Sequence, residues 1–449
     1  MTKTRSEITL GELTQGRVQQ DGPTGRGEFT YVDIGSIDRT TKRIVDANKL
    51  PIAKAPSRAR QILKAGDVLV SMTRPNLNAV AIVPPDLDGA IGSTGFHVMR
   101  AQDNEPGYLF YAAQTPMFID SMCQKVQGAL YPAVRPKDIA AHSVPRIPKS
   151  EQRRIVAEIE KQFSRLEEGV GALRRVQANL KRYRAAVLKA ACEGQLVPTE
   201  AELAKDEKRK YETSEELLAR ILAERRKNWQ GRGKYKEPAV PDTSKLGKLP
   251  EGWAWASVEQ LADIGSGNTP AKIADHINAN GPIPWFKVGD MNRQGNEQVM
   301  RTSESYITKE SAETLGLKIF PAGAIIFPKR GGAIATNKKR QLETPAATDL
   351  NVMALMPFYE VGRYFKNWFA SIDLASLSDG SNVPQVNNKD IQPLLVPLPP
   401  LAEQSRIVAE VERRLSVVEE MEATVEANLQ RATRLRQSIL QKAFEGKLK

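Results

Sequence analysis

The sequence predicts an α+β protein: two globular mixed α/β segments and two long helices that pair with each other inside one chain. Three observations predict it. A helix-periodic stretch occurs twice at a constant offset. Each copy follows a segment in which short strand-like runs mix with short helices. The strand-like runs of the two segments come in the same order, so the chain is an internal repeat.

The repeated stretch begins EQRRIVAEIEKQF at Glu151 and EQSRIVAEVERRL at Glu403, a shift of 252 positions without a gap. The shift carries Arg154 through Glu158 onto Arg406 through Glu410, Glu167-Glu168 onto Glu419-Glu420, and Glu193-Gly194 onto Glu445-Gly446. Upstream it carries Lys137-Asp138-Ile139 onto Lys389-Asp390-Ile391. Within the copies, apolar residues step mostly by three and four: Ile155, Ile159, Phe163, Leu166, Val170, Leu173, Val176, Leu180, Tyr183 and Val187 in the first. In the second they are Ile407, Val411, Leu415, Val418, Val425, Leu429, Leu435 and Ile439. That spacing makes a narrow apolar stripe on one long helix. Neither copy holds proline, and Gly194 and Gly446 stand where a helix stop is expected. Forty residues make a rod of roughly 60 Å. The expected interface is Ile155, Ile159, Leu166, Leu173, Leu180 and Val187 against Ile407, Val411, Val418, Val425, Leu429 and Ile439. A dimerisation helix pairing two chains is the alternative; two matched copies in one chain favour pairing within it.

The 449 residues carry a net charge of +12 and a pI near 9.5, which favours an anionic partner, nucleic acid first. The charge is spread along the chain rather than collected in a tail. No apolar run reaches membrane-spanning length, and MTKTRSEITL lacks the apolar core of a signal peptide. The two cysteines, Cys123 and Cys192, suggest neither disulfides nor a metal site, and a reducing prokaryotic cytoplasm fits. Cys192 falls on Phe444 in the repeat and reads as a small buried hydrophobe.

Taken in order, residues 1–148 are the first globular segment, 149–197 the first long helix, 198–248 a connector, 249–400 the second globular segment and 401–449 the second long helix. In the first segment, Thr30–Gly35 reads as a strand, Lys64–Ser71 as a turn feeding a buried strand, and Ala79–Val83 as another short apolar run. Tyr108–Ala113 and Met117–Cys123 read as helices split by Pro116. In the connector, Thr213-Ser-Glu-Glu216 is a capping box opening a helix to Trp229. Gly231 to Pro241 is loop-like, and a solvated linker explains it more simply than a phosphate contact. The second segment opens Leu249-Pro-Glu-Gly-Trp253 and echoes the first: Ile283–Gly289 parallels Thr30–Gly35, and Pro321–Phe327 parallels Lys64–Val70. Thr348–Met353 parallels Thr94–Met99, and Gly380–Val386 parallels Gly128–Val134. The residues between these runs differ strongly, as expected of one scaffold carrying two surfaces.

No catalytic constellation emerges. His97, His142 and His276 lack ligand spacing, no phosphate-binding GxxxxGK[ST] loop occurs, and no Asp/Asn-Pro-Pro-aromatic motif of amino-methyltransferases is present. Arg330-Gly-Gly332 and Gly265-Ser-Gly267 are explained by tight turns. What remains are basic and amide-bearing loops beside the framework runs: Arg74, Asn76 and Asn78 with Tyr131 and Arg135 in the first segment. In the second they are Lys329, Arg330, Asn337, Lys338, Lys339 and Arg340 with Asn382, Gln385, Asn387 and Lys389. Such side chains pair with guanine or adenine edges and with phosphates.

The duplicated E-Q-x-R-I-V-A-E helix starts, the E-G-[QK]-L helix ends, Leu249-Pro-Glu-Gly-Trp253 and the Ile283-Pro-Trp-Phe-Lys-Val-Gly289 run together resemble the specificity subunits of type I restriction–modification systems, over nearly the whole chain. The resemblance implies that each globular segment is a target-recognition domain. The two helices would be the family's conserved regions, paired as an antiparallel coiled coil with a pseudo-twofold repeat. Each domain would read one half of a bipartite double-stranded DNA target, with the helical pair as spacer ruler and docking site. Two methyltransferase subunits would bring S-adenosylmethionine, and restriction subunits ATP; the chain itself would bind no cofactor or metal and catalyse nothing. The first segment lacks the Pro-Glu-Gly-Trp opening and begins near Ile8. Two other readings compete: a coiled-coil scaffold that bridges proteins without DNA, and a stand-alone methyltransferase or nuclease. The basic pI with paired basic loops opposes the first, and the missing motifs oppose the second.

Overall fold

The computed structural model describes residues 6–127, 132–229 and 233–448. Packing divides the chain into two compact units, residues 1–177 with 423–449, and residues 178–422.

In the first unit, strand Glu7–Thr9 pairs antiparallel with Ser143–Pro145. Glu28–Val32 lies between Asn48–Pro51, antiparallel, and Ile91–Ser93, parallel; Ala59–Ile62 completes that sheet. Val68–Ser71 sits at the centre of a second sheet, between Phe96–Met99 and Val80–Ile82. The strand expected to reach Gly35 stops at Val32, because the Asp33 carboxylate accepts the Ser36 amide at 3.0 Å and winds Ile34–Ser36 into a 3₁₀ turn. Pro116 does not merely divide two helices. It opens the second, Pro116–Gln124, one residue after the Thr115 cap, where its missing N–H is harmless.

The second unit repeats this plan. Ala254–Ser257 pairs with Leu395–Leu398 as Glu7–Thr9 does with Ser143–Pro145. Ile283–Phe286 again has a parallel neighbour, Ala347–Thr348, and an antiparallel one, Tyr306–Ile307. Ile325–Pro328 takes the place of Val68–Ser71, between Val352–Pro357 and Arg340–Leu342, in a sheet widened by Ala262–Ser266 and Val299–Met300. Thr213 opens the connector helix Ser214–Lys227, its hydroxyl accepting the Glu216 amide at 3.3 Å.

Side chains inside the two units anchor the framework alike. The Tyr108 hydroxyl donates to the Pro145 carbonyl at 2.9 Å, and the Tyr364 hydroxyl to Pro397 at 2.6 Å. The Gln152 amide donates to the Ile147 carbonyl at 3.1 Å, and Gln404 to Pro399 at 2.8 Å. Each bond ties the last strand or its exit to an element that the repeat places equivalently.

The long helices run Lys149–Cys192 and Leu401–Phe444 without a break. In the first unit Ile155, Ile159 and Phe163 share a core with Ile439, Leu440 and Phe444; in the second Val187, Leu188 and Ala191 share one with Ile407, Val408 and Val411. Start meets end in each unit, so the helices are antiparallel. At their starts the helices bury more than a seam. Val156 and Val408 are buried beside the stripe, because there the helix also roofs its unit's globular core. Leu180, Val418 and Val425 are buried, while Leu166, Leu173 and Leu429 are half-buried. Tyr183 and Leu435, one repeat position, depart from the expected stripe and lie 46% and 47% exposed. Cys192 is half-buried against the second unit's core, and burial pushes its thiol up to about 11.

The second unit has a buried polar anchor. Glu403 is fully buried, its carboxylate accepting the Trp253 indole N–H at 3.0 Å and the Glu200 amide at 2.8 Å. Glu200 in turn pairs with Arg406 at 2.7 Å. The Leu249-Pro-Glu-Gly-Trp253 opening thus docks its indole on the start of the second long helix. In the first unit Glu151, at the same repeat position, is partly exposed and pairs with Arg154 one turn along.

Candidate nucleic-acid interface

The interface begins with backbone geometry. In the first unit the chain leaves strand Val68–Ser71 and runs beside the stretch before helix Pro136–Ala140: the Arg74 amide donates to the Pro132 carbonyl at 2.8 Å, and the Val134 amide to Met72 at 2.9 Å. In the second unit the Gly331 amide donates to Pro384 at 2.8 Å, and Val386 to Lys329 at 2.9 Å. The same two bonds recur, with Thr73 facing Ala133 and Arg330 facing Gln385. Beyond each clip a carboxylate caps the following short helix, Asp138 accepting the Arg135 amide at 3.0 Å and Asp390 the Asn387 amide at 2.8 Å. Ile139 and Ile391 plug the helices into their cores.

The clip brings together Arg74, Asn76 and Arg135 in the first unit, all exposed. Arg135 also reaches Asp138 at 3.2 Å. In the second unit it brings Lys329 and Arg330 beside Asn382, Gln385, Asn387 and Lys389. Arg330, Asn382, Asn387 and Lys389 are exposed; Lys329 is half-buried and donates to Ser266 Oγ at 3.0 Å. Tyr131 lies outside the described residues.

Four expected contacts are committed elsewhere. Asn78 is buried: its Nδ2 donates to the Ala113 carbonyl at 2.8 Å, and its Oδ1 accepts from Lys42 at 3.0 Å. Asn337 Oδ1 accepts from the Leu374 amide at 3.0 Å and from Lys339 at 2.9 Å. Lys339 also donates to the Ile372 carbonyl at 2.6 Å and lies over the Phe369 ring, and burial pushes its ammonium down to about 8. Arg340 is half-buried on its strand, donating to the Lys339 carbonyl at 3.0 Å, with burial holding its guanidinium below the usual range. These side chains bond within their own unit, and of the four Asn337 alone is exposed. Lys338 donates to the Asn292 amide oxygen, a different turn from the one the clip joins.

Two arginines escaped the sequence reading. Arg39 and Arg58 line a cleft of about 280 Å³ with Arg74, Ser71, Thr73 and Pro132, and among the described residues no carboxylate lines it. Three guanidiniums around hydroxyls suit phosphate or guanine edges. Arg39 sits in a hairpin turn and Arg58 before a strand, so no periodicity marks them. Among the described residues no group of three or more His, Cys, Asp or Glu side chains could hold a metal, and no helix is long and apolar enough to cross a membrane.

Two like units, each presenting unlike side chains on an identical loop clip, define a duplicated recognition protein. Residues 250–429 match the family described as type I restriction modification DNA specificity domain. The chain is 26% identical over 336 residues to the Type I restriction enzyme EcoDI specificity subunit of Escherichia coli, covering 74% of this chain and 68% of that one. With the EcoR124I/EcoR124II specificity subunit of Escherichia coli it shares 26% identity over 160 residues, 34% of this chain and 39% of the relative. A chain solved in work on complex assembly and conformational transition of the type I R-M system superposes with a TM-score of 0.68 at 26% identity, covering 98% of both chains. Residues 250–429 thus carry a type I restriction modification DNA specificity domain, and over most of its length the chain is similar to the specificity subunits of type I restriction–modification systems. That likeness points to recognition of DNA.

Proposed function

We propose that each unit reads one half of a bipartite duplex target, residues 1–148 one half and residues 249–400 the other, and that the paired helices set the spacer between them. The recurring clip carries this reading: it fixes two loops side by side in each unit and leaves their side chains free to differ. Arg74, Asn76, Arg135, Arg39 and Arg58 serve the first half. Lys329, Arg330, Asn382, Gln385, Asn387 and Lys389 serve the second. Two modification subunits dock on the outer faces of the helices, where Tyr183, Val417, Met421 and Leu435 leave apolar surface exposed. They supply S-adenosylmethionine and adenine-N6 methylation, restriction subunits supply ATP-driven chemistry, and the assembly acts in the prokaryotic cytoplasm.

The test is a domain exchange. Replacing residues 1–148 with those of another specificity subunit should change one half of the methylated sequence and leave the other half and the spacer intact. Simultaneous change of both halves sinks the reading. So would binding that weakens with salt but is equal for every duplex sequence.

A further inference from the structure

A lysine grips each recognition loop from inside, at positions the repeat does not relate. In the first unit the loop after Val68–Ser71 makes a 3₁₀ turn, Pro75–Leu77, closed by Asn78 at a left-handed φ of 45°. In the second, the loop after Ile325–Pro328 makes the turn Gly332–Thr336, closed by Asn337 at a φ of 51°. Asparagine tolerates this conformation when its short side chain bonds locally. Both carboxamides also stitch the turn to the end of a neighbouring helical stretch, through Ala113 in one unit and Leu374 in the other.

Both carboxamide oxygens then accept from a lysine. Lys42 reaches Asn78 Oδ1 at 3.0 Å from the tip of the hairpin joining Ile37–Asp38 and Arg43–Ile44, and also bonds the Asn78 carbonyl. Lys339 reaches Asn337 Oδ1 at 2.9 Å from two residues further on, and bonds the Ile372 carbonyl at 2.6 Å. An ammonium can bind two acceptors from one point, which a hydroxyl hydrogen cannot. Burial pushes both lysines down to about 8, so each holds its place against the cost of desolvation. Two of the three ammonium donors of each lysine are already taken by these acceptors.

We propose that Lys42 and Lys339 are positioning residues for sequence reading: each clamps the left-handed asparagine that closes its unit's recognition loop, so that the loop meets DNA in one conformation. The proposal rests on the assignment of these loops to DNA reading, and two measurements separate the two claims. In the full chain without DNA, Lys42→Met should speed amide hydrogen exchange at least tenfold across residues 74–78 and leave residues 331–337 unchanged; Lys339→Met should do the reverse. In cells carrying the complete system, sequencing of methylated adenines should show one half of the motif relaxed by Lys42→Met, and the other half by Lys339→Met. Lys42→Gln and Lys339→Gln, which retain a donor, should give intermediate effects, and they replace a methionine variant that fails to accumulate. Unchanged exchange at the loop, or acceleration spread over the whole unit, overturns the clamp; accelerated exchange with an intact motif overturns its role in sequence reading. A wild-type motif that is not bipartite overturns the reading of the loops, while the exchange experiment still judges the clamp.

Discussion

The two units share a framework down to single backbone bonds, yet their helix starts are secured differently. In the first unit Gln152 is saturated: its Oε1 accepts the Glu105 amide at 2.9 Å, and its Nε2 donates to Asn104 at 3.0 Å and to Ile147 at 3.1 Å. In the second, Gln404 keeps the bond to Pro399, but its buried Oε1 has no partner among the described residues. The neighbouring glutamate inverts the contrast. Glu403 is buried in an indole and amide cradle, whereas Glu151 is partly exposed beside Arg154. One repeated Glu-Gln pair thus fastens its unit through the glutamine in one case and the glutamate in the other. Identical sequence at a repeat position does not fix identical energetics; the neighbour decides.

The contrast can be broken by substitution. Glu403→Ala strands two buried donors, Trp253 Nε1 and the Glu200 amide, and should destabilise the second unit by about 3–4 kcal/mol. Glu151→Ala, at an exposed ion pair, should cost about 0–1 kcal/mol. Hydrogen exchange resolved by unit compares them, and equal costs would refute the assignment of anchors. Next in size, Gln152→Ala should cost roughly 2–3 kcal/mol, and Gln404→Ala roughly 1 kcal/mol, since the latter also removes an unsatisfied oxygen. A reversed order in denaturant titration would show that the partnerless oxygen is in fact served.

Acid should separate the units more gently. Burial pushes His97 and His142, both in the first unit, down to about 4. A folded pKa below the unfolded value of about 6.5 means the unfolded chain takes up protons first. Stability is whole above pH 6.5 and falls as pH drops from 6.5 toward 4. At pH 5.5 the buried His142 should remove roughly 1 kcal/mol from the first unit. Exchange at pH 7 and 5.5 measures it, and His142→Phe, placed against the Phe118 ring, should abolish about half of the difference and leave the part due to His97.

The long helices, the strand order and the placing of Asp138 and Asp390 were legible because each is written in spacing. Periodicity and a gap-free offset survive any change of neighbour. The basic cleft was not legible. Arg39 and Arg58 reach Arg74 only after a hairpin and two sheets have folded. Nor was the burial of Asn78 or the bonding of Asn337 to Lys339 and Leu374, since an asparagine in a polar loop looks alike whether it meets water or a lysine. The second unit's loop also lies at a different offset: Arg74 corresponds to Gly331 rather than to the residue 252 positions on. The parallel of Lys64–Val70 with Pro321–Phe327 already carries that shift, and the matched bonds to Pro132 and Pro384 extend it into the loop.

Those matched bonds are made by main-chain atoms alone. A peptide group is the same whatever side chain it carries, so the joint between the loops is indifferent to what is written on them. The backbone sets the limits instead: the donating amides of Arg74 and Gly331 sit at positive φ, 49° and 73°, so Gly331 should stay glycine, while the exposed positions outside those two are open to exchange. The surface is thereby a replaceable typeface on a fixed press: the protein can be given a new text to read without redesigning what holds the letters in line.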